Sequence, residues 1–281
     1  MKFSVTTVML PHLDLRQTCK LLSDLGYDGV ELRVRRLPPE RANDEPSSWG
    51  RHLTDLSPDN ILARSEEVKS VVSEYGLRMS GFASACSSSD LEHIKLLAEG
   101  AQAVGCPAIR LSCRGYNGTI NYHEIYAEAV KNYGKALEIT RPYGVKVLVE
   151  MHGGTIHPSA SLAYRIVSNF DAKDIGVIYD PQNMVRDGFE TIQLALELLG
   201  DHLAHIHVGG HKPVPKEPDE KGTVTWSWPG CPMPEGLYDF PKMMECLRKV
   251  GYAGFISVED FRGDCSPEER LENAIAYLRS L

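Results

Sequence analysis

The sequence predicts an α/β fold, a (β/α)8 TIM barrel formed as a single domain over residues 1–281, and three observations carry that prediction. A local pattern, an amphipathic helix closed by glycine and followed by a β-rich run, recurs five times along the chain. With the remaining apolar runs it gives eight candidate strands separated by helical stretches. That alternation implies right-handed parallel crossovers, and eight such units close on themselves. No GxGxxG or GxxxxGK[ST] opens a helix, so the usual nucleotide-binding reason for an open sheet is missing. A chain of 281 residues suits one such barrel.

The elements follow in order. MKFSVTTVML alternates like a strand, is short and lacks a small-residue cleavage site, so it reads as a first strand, Phe3–Thr7, rather than a signal peptide. KLLSDLGYDGVELRV runs through Gly26 into a second strand, Gly29–Arg33. VVSEYGLRMSGFA turns at Gly76 into a third, Arg78–Ala83, and EGAQAVGCPAIRLSC turns at Gly105 into a fourth, Ala108–Ser112. LEITRPYGVKVLVEM passes Gly144 into Lys146–Met151; Ile175–Tyr179 and Leu203–Val208 follow. CLRKVGYAGFISVED passes Gly251 into the eighth, Gly254–Val258. Glycine suits the left-handed position that closes a helix and turns the chain back. Ser57-Pro58 and Ser266-Pro267 each place a capping hydroxyl before a first-turn proline and predict helix starts. Two connections are long: residues 35–57, rich in Pro, Arg and acidic residues, and residues 211–236, with Trp226, Trp228 and six prolines. Both follow the C-terminal ends of their strands, where barrels place active sites. The Trp- and Pro-rich one reads as a wall or lid over a pocket, with a partner-binding loop as the competing reading.

Apolar residues at 42% and charged residues at 24% are an ordinary globular balance. A formal charge of −8 with no Lys/Arg block disfavours a nucleic-acid surface. No apolar run approaches the roughly 20 residues that span a bilayer. The seven cysteines are scattered without a CxxC pair, as suits reduced thiols in a cytoplasm better than a disulfide framework.

The chemistry gathers in the second half. The last four strands end in VLVEMH, VIYDPQN, HIHVGGH and ISVEDF, giving Glu150, Asp180, His207 and Glu259. A lone strand-end carboxylate is more often a cap or ion-pair partner; four on successive strands read as a metal site. Three carboxylates converging on one mouth repel and call for a cation. Oxygen ligands with one imidazole suit one divalent ion, Mn²⁺ before Mg²⁺, Co²⁺ or Zn²⁺. His205 shares the parity of His207 but lies deeper, and reads as a packed or supporting histidine.

GYDGVELR, VLVEMH, IYDPQNM, HIHV and GYAGFISVEDF together resemble the sugar phosphate isomerase/epimerase family with the xylose-isomerase-like barrel, over nearly the whole chain. The resemblance implies one divalent ion on Glu150, Asp180, His207 and Glu259, with Glu150 and Glu259 as the proton-transferring pair. It also implies a homo-oligomer, dimer or tetramer. Such a site polarises a carbonyl and stabilises the enediolate left when the α-proton departs. Returning the proton to the other face gives epimerisation, returning it to the neighbouring carbon gives isomerisation, and losing a β-hydroxyl gives dehydration; the fold does not choose among them.

Departures from the family pattern keep alternatives open. Asn183 stands where many epimerases have a histidine, and it can bind a substrate oxygen but not shuttle a proton. Gly209, Gly210, His211 and Lys212 follow the seventh strand where many members have an acidic residue. His152, two residues after Glu150, is a candidate acid–base group; a loop histidine satisfied by carbonyls is the plainer reading. Lys212, Arg262, Glu31 and Trp226 complete the candidate substrate contacts, each with a structural reading beside it. The first expectation is an isomerase or epimerase acting on a ketose or keto-sugar. The alternative is a lyase on the same scaffold: an inosose-type dehydratase, or the barrel subunit of a C-glycoside deglycosidase acting on a 3-keto glycoside within a hetero-oligomer, which His152 as base would favour. A non-catalytic sugar-binding subunit is the third, opposed by the intact ligand set. An apurinic endonuclease is disfavoured, because the third and fourth strands end without histidine and the chain is acidic.

Overall fold

The computed structural model describes residues 1–281 and contains eight parallel strands in a closed barrel: β1 (Lys2–Thr6), β2 (Gly29–Arg33), β3 (Arg78–Ser87), β4 (Ala108–Ser112), β5 (Lys146–Glu150), β6 (Ile175–Tyr179), β7 (Leu203–Val208) and β8 (Phe255–Val258). Each strand pairs with its neighbours in sequence order, and β8 closes onto β1 through Lys2↔Phe255 to Val5↔Val258. Helices α1 (Leu15–Asp24), α2 (Ser65–Glu74), α3 (Leu91–Val104), α4 (Tyr122–Thr140), α5 (Ala160–Val167), α6 (Pro181–Asp187), α7 (Ile192–Leu199), α8 (Phe240–Lys249) and α9 (Pro267–Ser280) lie between and after them. No helix is long and apolar enough to cross a membrane.

The five glycines of the repeating pattern, Gly26, Gly76, Gly105, Gly144 and Gly251, all have positive φ between 65° and 81°. A side chain there would be strained, so the sequence signal and the backbone requirement coincide. Ser266 caps α9 through Glu269 N–H, with Pro267 in its first turn. Ser57-Pro58 behaves differently from expectation. It opens a run of turns, and α2 begins only at Ser65. Ser57 N–H is taken by the Asn60 side chain, which fixes a tight turn in place of a helical start. Strand β3 runs four residues beyond the expected end, to Ser87, pairing with Ser112 across a register shift.

Alternation along the strands decides what faces the barrel axis. Val147, Val149, Val177, Tyr179, Ile206, Val208, Ile256 and Val258 pack outward into the main hydrophobic cluster with the helices. The intervening positions therefore point inward: Leu148 and Glu150, Ile178 and Asp180, His205 and His207, Ser257 and Glu259. Lower in the lumen Ala108, Leu148 and Ile178 form a small separate apolar cluster. Apolar residues thus fill the floor of the barrel, and titratable ones gather at the C-terminal mouth.

The long connections differ in use. Residues 34–64 carry only one short helical turn, Pro39–Arg41, and bring Trp49 against Phe261 at 5.0 Å between ring centroids. Residues 210–236 fold on themselves as two small antiparallel pairs, Gly210–His211 with Gly230–Cys231 and Val214–Pro215 with Trp226–Ser227.

Candidate metal centre

Each acidic ligand candidate ends a strand or begins the turn after it. Glu150 is the last residue of β5, and Asp180 caps α6, its Oδ1 accepting from Gln182 N–H and Asn183 N–H. His207 lies within β7, and Glu259 follows β8, its own N–H bonded to Val208 O. One ligand atom from each of these four buried residues lies within 4.8 Å of the other three. The structure therefore brings together the four side chains that the sequence placed on four separate strands.

The geometry around His207 is specific. Its Nε2 lies 3.1 and 3.2 Å from the two oxygens of Glu31, so Nε2–H donates to that carboxylate. Nδ1 then carries the lone pair, 2.9 Å from Glu150 Oε1 and 3.0 Å from Glu259 Oε2, yet it makes no hydrogen bond to either. A buried lone pair facing carboxylate oxygens is unfavourable unless a positive charge stands between them. A divalent ion held by these groups satisfies all of them. A carboxylate bonded to the far nitrogen of a ligating histidine is also the usual support for such a site.

The titration of the cluster points the same way. Burial, then the negative charges of Glu150 and Glu259, push Asp180 up to about 7. Burial also opposes ionisation of Glu150, but Arg110 and His207 outweigh it and hold that carboxyl below the ordinary range. Burial disfavours a charged His207, but Glu31 and Glu259 overcome it and draw positive charge to the ring. In a site this dry, a cation bound among Glu150, Asp180 and Glu259 would relieve the repulsion that raises Asp180.

Above it opens a cavity of about 200 Å³ lined by Arg35, Arg110, Glu150, His152, Asp180, Gln182, Asn183, Arg186, His211, Glu259 and the rings of Trp49 and Phe261. His152 is at the rim, its Nδ1 2.7 Å from Gly153 O. Since a carbonyl only accepts, Nδ1 carries the proton and Nε2 a free lone pair. Asn183 lines the cavity, but its Nδ2 is spent on Asp180 Oδ2 at 2.6 Å, so the amide holds that carboxylate in place.

Four sequence-based candidates fall outside the cavity. Glu31 is buried behind His207 and also accepts from His205 Nε2 at 3.1 Å, because its position on β2 is deeper than the mouth. His205 is buried beside Glu31 and does not reach the cavity. Arg262 is buried but locked on Asp260 and Asp264, at 3.0 and 3.2 Å. Lys212 pairs with Glu235 at 3.2 Å. Trp226 is 51% exposed, because its hairpin pairs with itself and leaves the mouth. The aromatic wall comes from Trp49 instead, on the other insertion.

Arg35, Arg110, Arg186, Gln182 and His211 were not among the candidates. Two of them carried a signal. Glu31, Arg33 and Arg35 alternate with Leu32 and Val34 and so share the inward parity, and Arg110 is a lone charge inside the apolar run AIRLS. Trp49 had none, since nothing local fixes where a loop residue returns.

The chain matches the family model described as xylose isomerase-like TIM barrel over residues 19–281. An inosose isomerase of Halalkalibacterium halodurans is 26% identical over 258 residues, which is 89% of this chain and 84% of that protein. Among solved structures, the apo form of a 3-keto-D-glucoside 4-epimerase from E. coli superposes with a TM-score of 0.74 at 16% identity, covering 100% of both chains. The IOLI protein with a bound zinc atom gives 0.71 at 19% identity, covering 98% of this chain and 96% of that one.

Proposed function

Since this chain belongs to the xylose isomerase-like TIM-barrel family, we propose that it is a divalent-metal-dependent sugar isomerase or epimerase acting on a ketose or keto-sugar. The observation that carries the reading is the convergence of Glu150, Asp180, Glu259 and the unbonded Nδ1 of His207 within 4.8 Å at the floor of an open cavity. The 26%-identical inosose isomerase and the zinc-bound relative agree with it. A divalent ion on these residues would polarise a carbonyl and stabilise negative charge on neighbouring oxygens; Mn²⁺ is our first choice for an oxygen-rich donor set, with Mg²⁺, Co²⁺ and Zn²⁺ as the other occupants.

The protein's own groups supply the rest. Glu150 and Glu259 come from strands separated in the wall by β6 and β7, so they approach a substrate from different sides. One takes the proton from the carbon beside the carbonyl, leaving an enediolate, and the other returns a proton to it. Arg110 Nη1, 2.6 Å from Glu150 Oε2, holds that carboxylate in one orientation. Trp49 and Phe261 give the cavity an apolar face for the C–H side of a sugar ring. A second reading, a lyase, is favoured by one observation: His152 has its tautomer fixed with Nε2 free at the cavity rim, as a base for a β-elimination requires.

Metal content of the purified protein and solvent-proton exchange in D₂O test the proposal. The expected result is one bound divalent ion per chain, lost in Glu259→Gln, with deuterium entering a ketose or inosose without loss of hydroxyl. Release of water or of an aglycone, sensitive to His152→Gln, would shift the assignment to the lyase. Absence of metal from both parent and variant, even after supplementation, would overturn both readings.

A further inference from the structure

The cavity walls carry more positive charge than the metal site uses. Arg35, Arg110 and Arg186 line the same space as Glu150, Asp180 and Glu259, so three guanidiniums already match three carboxylates. A divalent ion on the proposed ligands adds two positive charges. Glu31, behind His207, takes back one. A net positive charge is left facing a small, partly desolvated cavity, where field lines are focused.

The three arginines are not equivalent. Arg110 is committed to Glu150 and to Ser84 O. Arg186 sits exposed at the rim with one weak bond, Nε to Gln182 O at 3.4 Å. Arg35 is the prepared one. Its Nε donates to Ala83 O at 3.2 Å, and its guanidinium lies over the Trp49 ring at 5.6 Å from the centroid. Its two Nη groups have no protein partner. Burial and the nearby Arg110 and Arg33 push it down to about 10, which still leaves it charged at neutral pH. A guanidinium held on a ring face with its Nη edge free matches the two oxygens of a carboxylate.

A phosphate is the competing anion, and the cavity lacks its usual cradle. The one helix that starts there, α6, begins with Pro181, which has no N–H, and the N–H groups of Gln182 and Asn183 are already taken by Asp180. Free helix N-termini are what phosphate sites use.

We propose that the substrate is a sugar acid, with its carboxylate bound by the free edge of Arg35 and supported by Arg186. This rests on the metal-dependent reading for the position of the reacting carbons, but not for the anion contact itself.

The test measures binding of unreactive probes by calorimetry: D-gluconate, D-glucitol and D-glucitol 6-phosphate. Each is titrated into the parent, Arg35→Met and Arg186→Met, both Mn²⁺-loaded and after dialysis against chelator. Gluconate is expected to bind the loaded parent at least about tenfold tighter than glucitol. That preference should shrink to about twofold in Arg35→Met and weaken in Arg186→Met, whose exposed side chain leaves folding untouched. A preference for gluconate that survives both substitutions overturns the assignment. So does equal binding of gluconate and glucitol, which would mean that the arginines act only on charge formed during reaction. Tighter binding of the phosphate ester would replace the carboxylate with a phosphate. Failure to take up Mn²⁺ sinks the metal reading alone, because an Arg35-dependent gluconate preference in metal-free protein still upholds the carboxylate site.

Discussion

Replacing Glu31 with glutamine tests the metal reading without touching a proposed ligand. Glu31 is 1% exposed and accepts from Nε2 of both His205 and His207 at 3.1 Å. A glutamine oxygen in the place of Oε2 still accepts from both rings, but the NH₂ group then takes the place of Oε1, 3.2 Å from His207 Nε2, and confronts it donor to donor. A buried donor left without a partner costs about 1–3 kcal/mol. For a chain of this size that lowers the melting temperature by roughly 2–10 °C. The sharper effect is on the metal. A neutral amide holds the proton of His207 on Nε2 less firmly than a carboxylate does, and the ring loses basicity at Nδ1. Loss of such a supporting partner costs about 10–100-fold in metal affinity, or about 1.4–2.7 kcal/mol. Competition for Mn²⁺ against a fluorescent chelator reads the affinity, and calorimetry reads the stability. A variant that melts lower but binds Mn²⁺ as the parent does would assign Glu31 to packing alone. One that matches the parent in both would refute the argument from Nε2 and Nδ1 altogether.

Three further outcomes are expected. Chelator dialysis should lower the melting temperature and Mn²⁺ should restore it; at one hundred times its dissociation constant the ion adds about 2.7 kcal/mol, and an unchanged melting curve would contradict a native-state site on Glu150, Asp180, His207 and Glu259. His52 is buried between Arg33 and the Ser48 carbonyl, and burial first, then Arg33, lowers it to about 4. Its folded value lies below the unfolded one of about 6.5, so its contribution is whole above pH 6.5 and is lost as pH falls towards 4, at most about 2 kcal/mol by pH 5. Urea titrations at pH 7.5 and 5 should therefore differ less in His52→Gln than in the parent, and an equal difference would exclude His52 as a source. Gly100 lies in α3 where an added Cβ would meet the side chain of Ile61, which is 0% exposed and has no room to retreat. Gly100→Ala should lose about 1–3 kcal/mol to overpacking despite the gain of about 1 kcal/mol in helix propensity; a more stable variant in urea would show that the contact yields.

The barrel was readable because its periodicities are local. Five glycines in left-handed backbone mark five helix ends, and no distant residue is needed to interpret them. Alternation along VLVEM, HIHV and ISVE separates outward aliphatics from inward ligands, so the convergence of Glu150, Asp180, His207 and Glu259 follows once the strands close in order. The misreadings arose where a side-chain bond or a hairpin pairing, neither of which leaves a periodic pattern, sets chain direction. Ser57-Pro58 looks like a helix start, and it is the Asn60 side chain closing on Ser57 N–H that makes it a turn. Trp226 looks like a lid residue by composition, and it is pairing with Pro215 that carries it out of the mouth.

Depth within the barrel was the harder quantity. Parity gives the direction of a side chain but not its height, so Glu31 and His207 read alike as inward while one stands behind the other. Height depends on the stagger of each strand against its neighbour, and the register shifts at Val30/Glu31 and at Val177/Ile178 alter it near these residues. The same shift between β6 and β7 sets His205 opposite Ile178, while Asp180 follows the end of β6. Arg35 shows the converse. Its inward parity was plain in ELRVR, but the meaning of a charge there depends on what is left over after Glu150, Asp180 and Glu259 are matched. A single strand cannot state that balance, because it belongs to the whole mouth. Substrate charge is therefore written in the sum of the strand ends, and the surplus at Arg35 is where that sum departs from a site built for a neutral sugar.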